Sequence, residues 1–288
     1  MSNKNPKILI LVLCSRNYLS FISSKAQQKI WDKYTKSFDI VHFIGEPYVD
    51  KREEDYVLKE NSNYLVLNTD DGYPNLAKKT LLAFEYVISN FEFDYLFRTN
   101  TSSFVDFNKL QKFVKNNHKN LQYSGSVLDV IEGDTIASGA GFFLSRKNVE
   151  LLLRESEKFD ISLPDDVAIA RTLSYFNIFP TNLMRKNLKS VPKPISVYHG
   201  EDFHYRCRLD PQFHRILEPL LIKYLNRVSE KTGIVSIVHY YYLFLIFKIS
   251  NLKFVYKIIQ KFYSFKFYGE INFKDKILYS SKKKINKF

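Results

Sequence analysis

The chain has 288 residues, 45% hydrophobic and 16% aromatic, which is enough for one large domain with an appendage or for two modest domains around a substantial core. Two cysteines, Cys14 and Cys207, exclude a disulfide framework, and the longest uncharged stretch, Thr232–Phe247, has 16 residues against the ~20 that a membrane-spanning helix needs. The net charge of +13 is uneven, +2 for residues 1–210 and +11 for residues 211–288, so the attraction to an anionic partner belongs to the tail.

Ile8–Cys14, preceded by Lys7, is a continuous apolar run. It is too short for a secretory signal and predicts a buried parallel strand, with Cys14 as a buried thiol in a reducing compartment. Phe38–Ile44 predicts a second strand and Tyr64–Leu67 a third. Over Asn75–Ser89 the residues Leu76, Thr80, Ala83, Phe84, Val87 and Ile88 recur with the 3.6-residue period of a helix. Tyr95–Phe97 predicts a short strand running into a polar loop, Arg98–Ser103. The stub Phe104-Val105 follows, and then Asp106 as the cap of a helix from about Phe107 to Asn116. Strands are expected near Gln122–Leu128 and over Gly141–Leu144. Ser145 is expected to cap a helix carrying Val149, Leu152 and Leu153, and Asp165 another carrying Val167, Ala170 and Leu173. This alternation argues for an α/β sheet, parallel at least in its first half. Ligands of such sheets bind beyond the carboxyl ends of the strands, where Ser15-Arg16, Asp70-Asp71 and Arg98–Ser103 fall.

Composition shifts at about residue 211, which divides the chain into residues 1–210 and a basic, aromatic-rich helical region, 211–288. Lys253, Lys257 and Lys261 recur every four residues with Phe254, Tyr256 and Ile258 between them, the pattern of a basic amphipathic helix on an anionic membrane surface. The alternatives are a helical extension that covers the core, or single-strand stacking on nucleic acid. A nucleic-acid groove needs no uncharged run like Gly233–Phe247, so no nucleic-acid partner is expected.

Four segments carry chemistry. Asp71-Gly-Tyr-Pro-Asn-Leu-Ala-Lys-Lys-Thr80 sets a polar turn before a helix, whose free amides suit a phosphate or a base edge, although an ordinary turn has the same look. Ala137-Ser-Gly-Ala-Gly-Phe-Phe-Leu-Ser145 puts two glycines in a strand, which marks the close approach of a backbone or a ligand. Leu163-Pro-Asp-Asp-Val167 places two carboxylates at a helix start, as caps or as an acid–base pair. His199-Gly-Glu-Asp-Phe-His204-Tyr-Arg-Cys-Arg208 offers two histidines five apart among carboxylates, and Arg206 and Arg208 suit a diphosphate.

Together with the strand and loop of residues 94–106, these segments resemble the β-1,3-galactosyltransferase/Fringe superfamily of inverting glycosyltransferases over roughly residues 7–205. The family's Asp-x-Tyr-x-Asn-Leu-x-x-Lys-Thr matches Asp71, Tyr73, Asn75, Leu76, Lys79 and Thr80, and its Ser-Gly-x-Gly-aromatic strand matches Ser138–Ser145. Its acidic-Asp-Val segment matches Asp165, Asp166 and Val167, and the Trp that follows its first strand is matched by Trp31. The family's Asp-x-Asp motif falls on Asn100, Thr101 and Ser102, so its acids are replaced.

The resemblance implies a GT-A fold: a Rossmann-like nucleotide-binding half on a mixed central sheet, here followed by the basic helical extension. It implies a nucleotide-sugar donor, a UDP-sugar first, and a glycan or glycolipid acceptor. The many Lys, Asn, Ile, Phe and Tyr residues and the lack of a visible stalk or signal anchor argue against a Golgi enzyme, so a surface-glycan acceptor on the inner face of the cytoplasmic membrane is expected. The resemblance also implies Asp166 as base with Asp165 as second choice, and a donor site drawn from Ser15, Arg16, Asp71, Asn75, Lys79, Arg98, Asn100, Ser102, Gly139 and Gly141. Mg2+ and Mn2+ bind through carboxylates and phosphate oxygens, so the loss of the acids disfavours a protein-held metal. Three outcomes stay open. Arg98, Lys79 or a basic residue of the tail replaces the metal; the nucleotide holds one with help from a histidine such as His199; or the chain binds sugar nucleotides without turning them over.

Overall fold

The computed structural model describes residues 6–46, 56–59, 64–129, 133–210, 212–230 and 233–250. Parallel strands β1 (Ile8–Leu13), β2 (Asp39–Gly45), β4 (Tyr64–Leu67) and β5 (Tyr95–Asn100) build the centre of the sheet. Antiparallel strands flank them: β3 (Tyr56–Lys59) on the β4 edge, and β8 (Thr135–Ser145) against β5; β7 (Tyr123–Asp129) pairs antiparallel with β8, and the short β9 (Thr181–Asn182) pairs in parallel with β7. The order is β3-β4-β2-β1-β5-β8-β7-β9, a mixed sheet. A second sheet lines up β10 (Lys186–Leu188), β11 (His204–Cys207) and β6 (Ser103–Val105). Beyond it lie α7 (Glu218–Glu230) and α8 (Ile234–Ser250).

Strand alternation distributes the core. Leu9 and Leu11 of β1 face a cluster with Ala83, Phe84 and Val87 of α2 (Leu76–Asn90), Val149 and Leu152 of α4 (Arg146–Arg154), and Ile169 and Leu173 of α5 (Asp165–Ser174). Ile8, Ile10 and Val12 face the opposite cluster, with Trp31 of α1 (Tyr18–Trp31) and Phe107, Leu110 and Val114 of α3 (Phe107–Asn117). Each such side chain contributes ~1.5–3 kcal/mol by leaving water, so both helical layers are held by β1 and its neighbours. α7 buries Leu221, Ile222, Tyr224, Leu225 and Val228 in a third cluster with Phe104, Tyr205 and Cys207, against α1 and the small sheet.

Several expectations hold in detail. Asp106 caps α3 by accepting from Lys109 N at 3.1 Å, and Ser145 caps α4 by accepting from Asn148 N at 3.3 Å. Cys14 and Cys207 are free and buried. Others are corrected. β5 does not end at Phe97 but continues through Arg98, Thr99 and Asn100, because β1 pairs with it to Asn100 and β8 to Thr99. Asp165 is not the cap of α5 but its first residue; Pro164 stands at the cap. Residues 204–207, for which no strand is expected from the sequence, form β11. The helix predicted around Lys253, Lys257 and Lys261 lies outside the described residues. Among the described residues, no helix is long and apolar enough to cross a membrane.

Candidate active site

The carboxyl ends of β1 and β2 are tied to α2 by one buried ion pair. Lys79 Nζ meets Asp71 Oδ1 at 2.5 Å and also donates to the carbonyl of Cys14 at 3.0 Å. Gly45 N donates to Asp71 Oδ1 at 3.1 Å, and Arg16 N donates to Asp71 Oδ2. Ser15 N donates to Ser20 Oγ at 2.8 Å at the start of α1. Four of the residues expected in the donor site, Ser15, Arg16, Asp71 and Lys79, therefore meet at the carboxyl ends of β1 and β2. Asn75, half-buried, stands at the N-cap of α2 without a capping side-chain bond, and Arg16 Nε is buried with no partner. Lys79 is 1% exposed and its charge is matched, so it organises loops and has no free face for an incoming anion.

A second buried pair lies across β5, β8 and α5. The guanidinium of Arg98 donates to the carbonyl of Gly139 and to Asp165 Oδ2, and Thr80 Oγ1 donates to the same carboxylate oxygen at 2.9 Å. Burial pushes the Asp165 carboxyl above the usual carboxylate range, while the Arg98 charge pulls it down. The next residue has a different setting. Asp166 is half-buried and accepts from Gly139 N at 2.7 Å and from its neighbour Val167 N at 3.1 Å. A Cβ on Gly139 would stand 2.9 Å from Asp166 Oδ2, so only glycine lets this strand approach the carboxylate so closely. Two adjacent acids are thus sorted, Asp165 inward onto an arginine and Asp166 outward.

The turn after β5 is tied internally. Asn100 Oδ1 accepts from Ser102 N at 3.1 Å, Ser102 Oγ at 2.9 Å and Ser103 Oγ at 3.2 Å. Thr101 Oγ1 and Ser20 Oγ are 3.0 Å apart, and Gln27 Nε2 donates to the carbonyls of Asn100 and Ser103 at 3.1 and 2.7 Å. The oxygens at the acidic-motif positions are neutral, and Asn100 Oδ1 is already saturated. No group of three or more His, Cys, Asp or Glu side chains suited to a metal ion occurs among the described residues. The donor set does not fit a protein-held Mg2+ or Mn2+.

The two histidines part company. His204 is 3% exposed, with Nε2 at 3.2 Å from Ser103 Oγ, and its ring lies where a Cβ on Gly141 would be, 2.1 Å from Cε1. Gly141 therefore makes room for His204. Burial pushes that imidazole down to about 3, which keeps it neutral. His199, at the C-cap of α6 (Pro194–Tyr198), is exposed with its ring against Tyr198. Sequence reasoning passed over Ser20 and Gln27 of α1, whose polar side chains hold the Asn100 turn; nothing in a lone Ser or Gln marks such a contact.

The galactosyltransferase family model matches residues 23–136, from within α1 to the start of β8. The match includes Asp71–Thr80 and the Asn100–Ser102 turn and stops short of Asp165 and Asp166. No curated protein matches the chain significantly. A galactosyltransferase domain implies a nucleotide-sugar donor and an acceptor. The match, over less than half of the chain, and the mixed, helix-flanked sheet support a glycosyltransferase with a GT-A-like fold and a relationship to the galactosyltransferase family.

Proposed function

We propose that the protein is an inverting glycosyltransferase that carries a sugar from a nucleotide-sugar donor, a UDP-sugar first, to a hydroxyl of a surface-glycan or glycolipid acceptor, with Asp166 as general base. The observation that carries this reading is the sorting of the two acids. Asp165 is satisfied by Arg98 and Thr80, whereas Asp166 is half-buried and oriented by Gly139 N at 2.7 Å. In the reaction the acceptor oxygen attacks the anomeric carbon and its proton passes to Asp166. The bond from that carbon to the diphosphate breaks, and its electron pair leaves with the diphosphate oxygen. Ser15, Arg16, Asp71, Asn75 and Lys79 shape the nucleotide pocket at the ends of β1 and β2, with Arg98, Asn100, Ser102, Gly139 and Gly141 towards the sugar.

Residues 1–210 carry this site in our reading, and residues 211–288, rooted on the core by α7, attach it to an anionic membrane surface on the cytoplasmic side. The supporting observation is that α8 has far more apolar surface than the core takes up. Leu243 is buried in the third cluster with Ser236 and Ser250 on the same inward side, while Ile234, Val235, Val238, Tyr241, Tyr242 and Leu245 are exposed. Such a face gains by leaving water, and residues 251–288, which follow α8 in sequence, add a charge of +8. A thermal-shift screen of nucleotides and nucleotide sugars tests the donor class. Stabilisation by one nucleotide family is expected, and the absence of any shift across the panel contradicts the reading.

A further inference from the structure

A glycosyltransferase must neutralise a departing diphosphate, and here the usual means are spent. Asn100, Thr101 and Ser102 supply no carboxylate for a divalent cation. Lys79 and Arg98, the two cations buried beneath the donor-site segments, are each about 1% exposed and already paired with Asp71 and Asp165.

The small sheet supplies another source of positive charge. β6 begins at Ser103, directly after the Asn100–Ser102 turn, and Arg206 of β11 stands opposite Ser103 in the ladder. Cys207 N donates to the carbonyl of Ser102 at 2.7 Å, which fixes β11 on that turn. Tyr205 and Cys207 point into the apolar cluster under α7, so His204 and Arg206 share the other face, and His204 lies against Gly141 and Ser103 at the end of β5. Arg208 follows β11, and Arg185 precedes β10, whose Asn187 pairs with Arg206.

These guanidiniums feel one another. Burial and neighbouring arginines lower the pKa of Arg185, Arg206 and Arg208, and Asp166 is the carboxylate that acts on Arg185. Glu218, the acid facing Arg206 and Arg208, is itself bound by Arg215 at 3.0 Å. Arg185 Nη1 and Arg206 Nε are buried without a hydrogen-bond partner. A group of like charges with unused donors is costly until a polyvalent anion joins it, and the planar guanidinium fork suits phosphate oxygens.

We propose that Arg185, Arg206 and Arg208 bind the donor diphosphate and stabilise it as the sugar leaves, in the place of a divalent cation. The assignment rests on the glycosyl-transfer reading above. The anomeric carbon–oxygen bond breaks towards these arginines, the electron pair stays on the diphosphate, and the acceptor proton goes to Asp166, so charge builds where the guanidiniums stand and no further reactant is required.

The test is titration of the full-length protein with inorganic pyrophosphate and with UDP, in excess EDTA. The wild type is expected to bind both. Arg206→Gln and Arg208→Gln are each expected to weaken binding by about tenfold or more, as the loss of a charge-assisted hydrogen bond implies, and Arg206→Lys by less. Matched melting temperatures of all three variants and the wild type show that a loss of binding is not a loss of folding. Unchanged affinity in the glutamine variants, or wild-type binding that appears only with Mn2+, overturns the proposal. Asp166→Asn separates it from the underlying reading: the variant is expected to bind pyrophosphate no more weakly than the wild type, since it loses only a negative charge that acts on Arg185, while sugar transfer falls. Full transfer activity in Asp166→Asn would remove the base assignment and leave the arginine site standing.

Discussion

Arg98 and Asp165 form an ion pair that is 1% and 2% exposed and ties the middle strand of the sheet to the first turn of α5. The pair sets the position of Gly139, whose carbonyl Arg98 holds and whose amide holds Asp166. Removing one partner strands a buried charge, so Asp165→Ala is expected to cost about 3–5 kcal/mol in a urea melt. Asp166→Ala, at a half-buried position that makes no ion pair among the described residues, is expected to cost about 1 kcal/mol or less. Equal costs would contradict the sorting of the two acids.

Glu218 gives the fold a pH dependence of definite sign. It is 1% exposed, and burial pushes its carboxyl from 4.5 up to about 7, against the pull of Arg215, Arg208 and Arg206. Because the folded state holds this proton more tightly than the unfolded chain, the group's contribution to stability falls as pH rises from about 4.5 to about 7. A shift of this size corresponds to about 3 kcal/mol. Glu218→Gln is expected to remove that fall, so its stability relative to wild type rises between pH 5 and pH 8 in paired denaturant melts. A constant difference across that range would contradict the assignment.

Membrane attachment is tested on α8 and on the residues beyond it. Val238→Glu with Leu245→Glu puts two charges on the exposed apolar face, and a chain ending at Ser250 loses a sequence charge of +8. Both are expected to sediment less with anionic vesicles, at ~1 kcal/mol for each basic residue removed from the surface. Binding equal to wild type in both would contradict the docking. A cut at Asp210 is a different experiment. It strips α7 from the third core cluster, exposing partners such as Phe104 and Tyr205, and insolubility is expected.

What the sequence made legible follows from where apolar residues carry the signal. β1, β4, α2 and the caps at Asp106 and Ser145 emerge from periodicity and turn chemistry alone. α1 does not, because its inward face includes Ser20, Ser23, Ser24 and Gln27, which serve a polar turn and leave no hydrophobic stripe to read. The extension of β5 through Arg98 was hidden for a related reason: an arginine inside a sheet looks like a loop residue until Asp165, 67 positions away, supplies its partner. The motifs brought Asp71 with Lys79 and Gly139 with Asp166 into view, but not their partners. Arg185 gave no signal, since its place beside the site depends on the pairing of β10 with β11.

The most direct measurement is the rate of sugar transfer by Asp166→Asn, with donor affinity measured on the same protein. The account predicts a loss of ~10²–10⁴ in rate with donor affinity nearly unchanged, since a general base acts on the acceptor proton and the diphosphate is held elsewhere. Near-normal turnover would make Asp166 a helix-start residue and nothing more, and would contradict the mechanism.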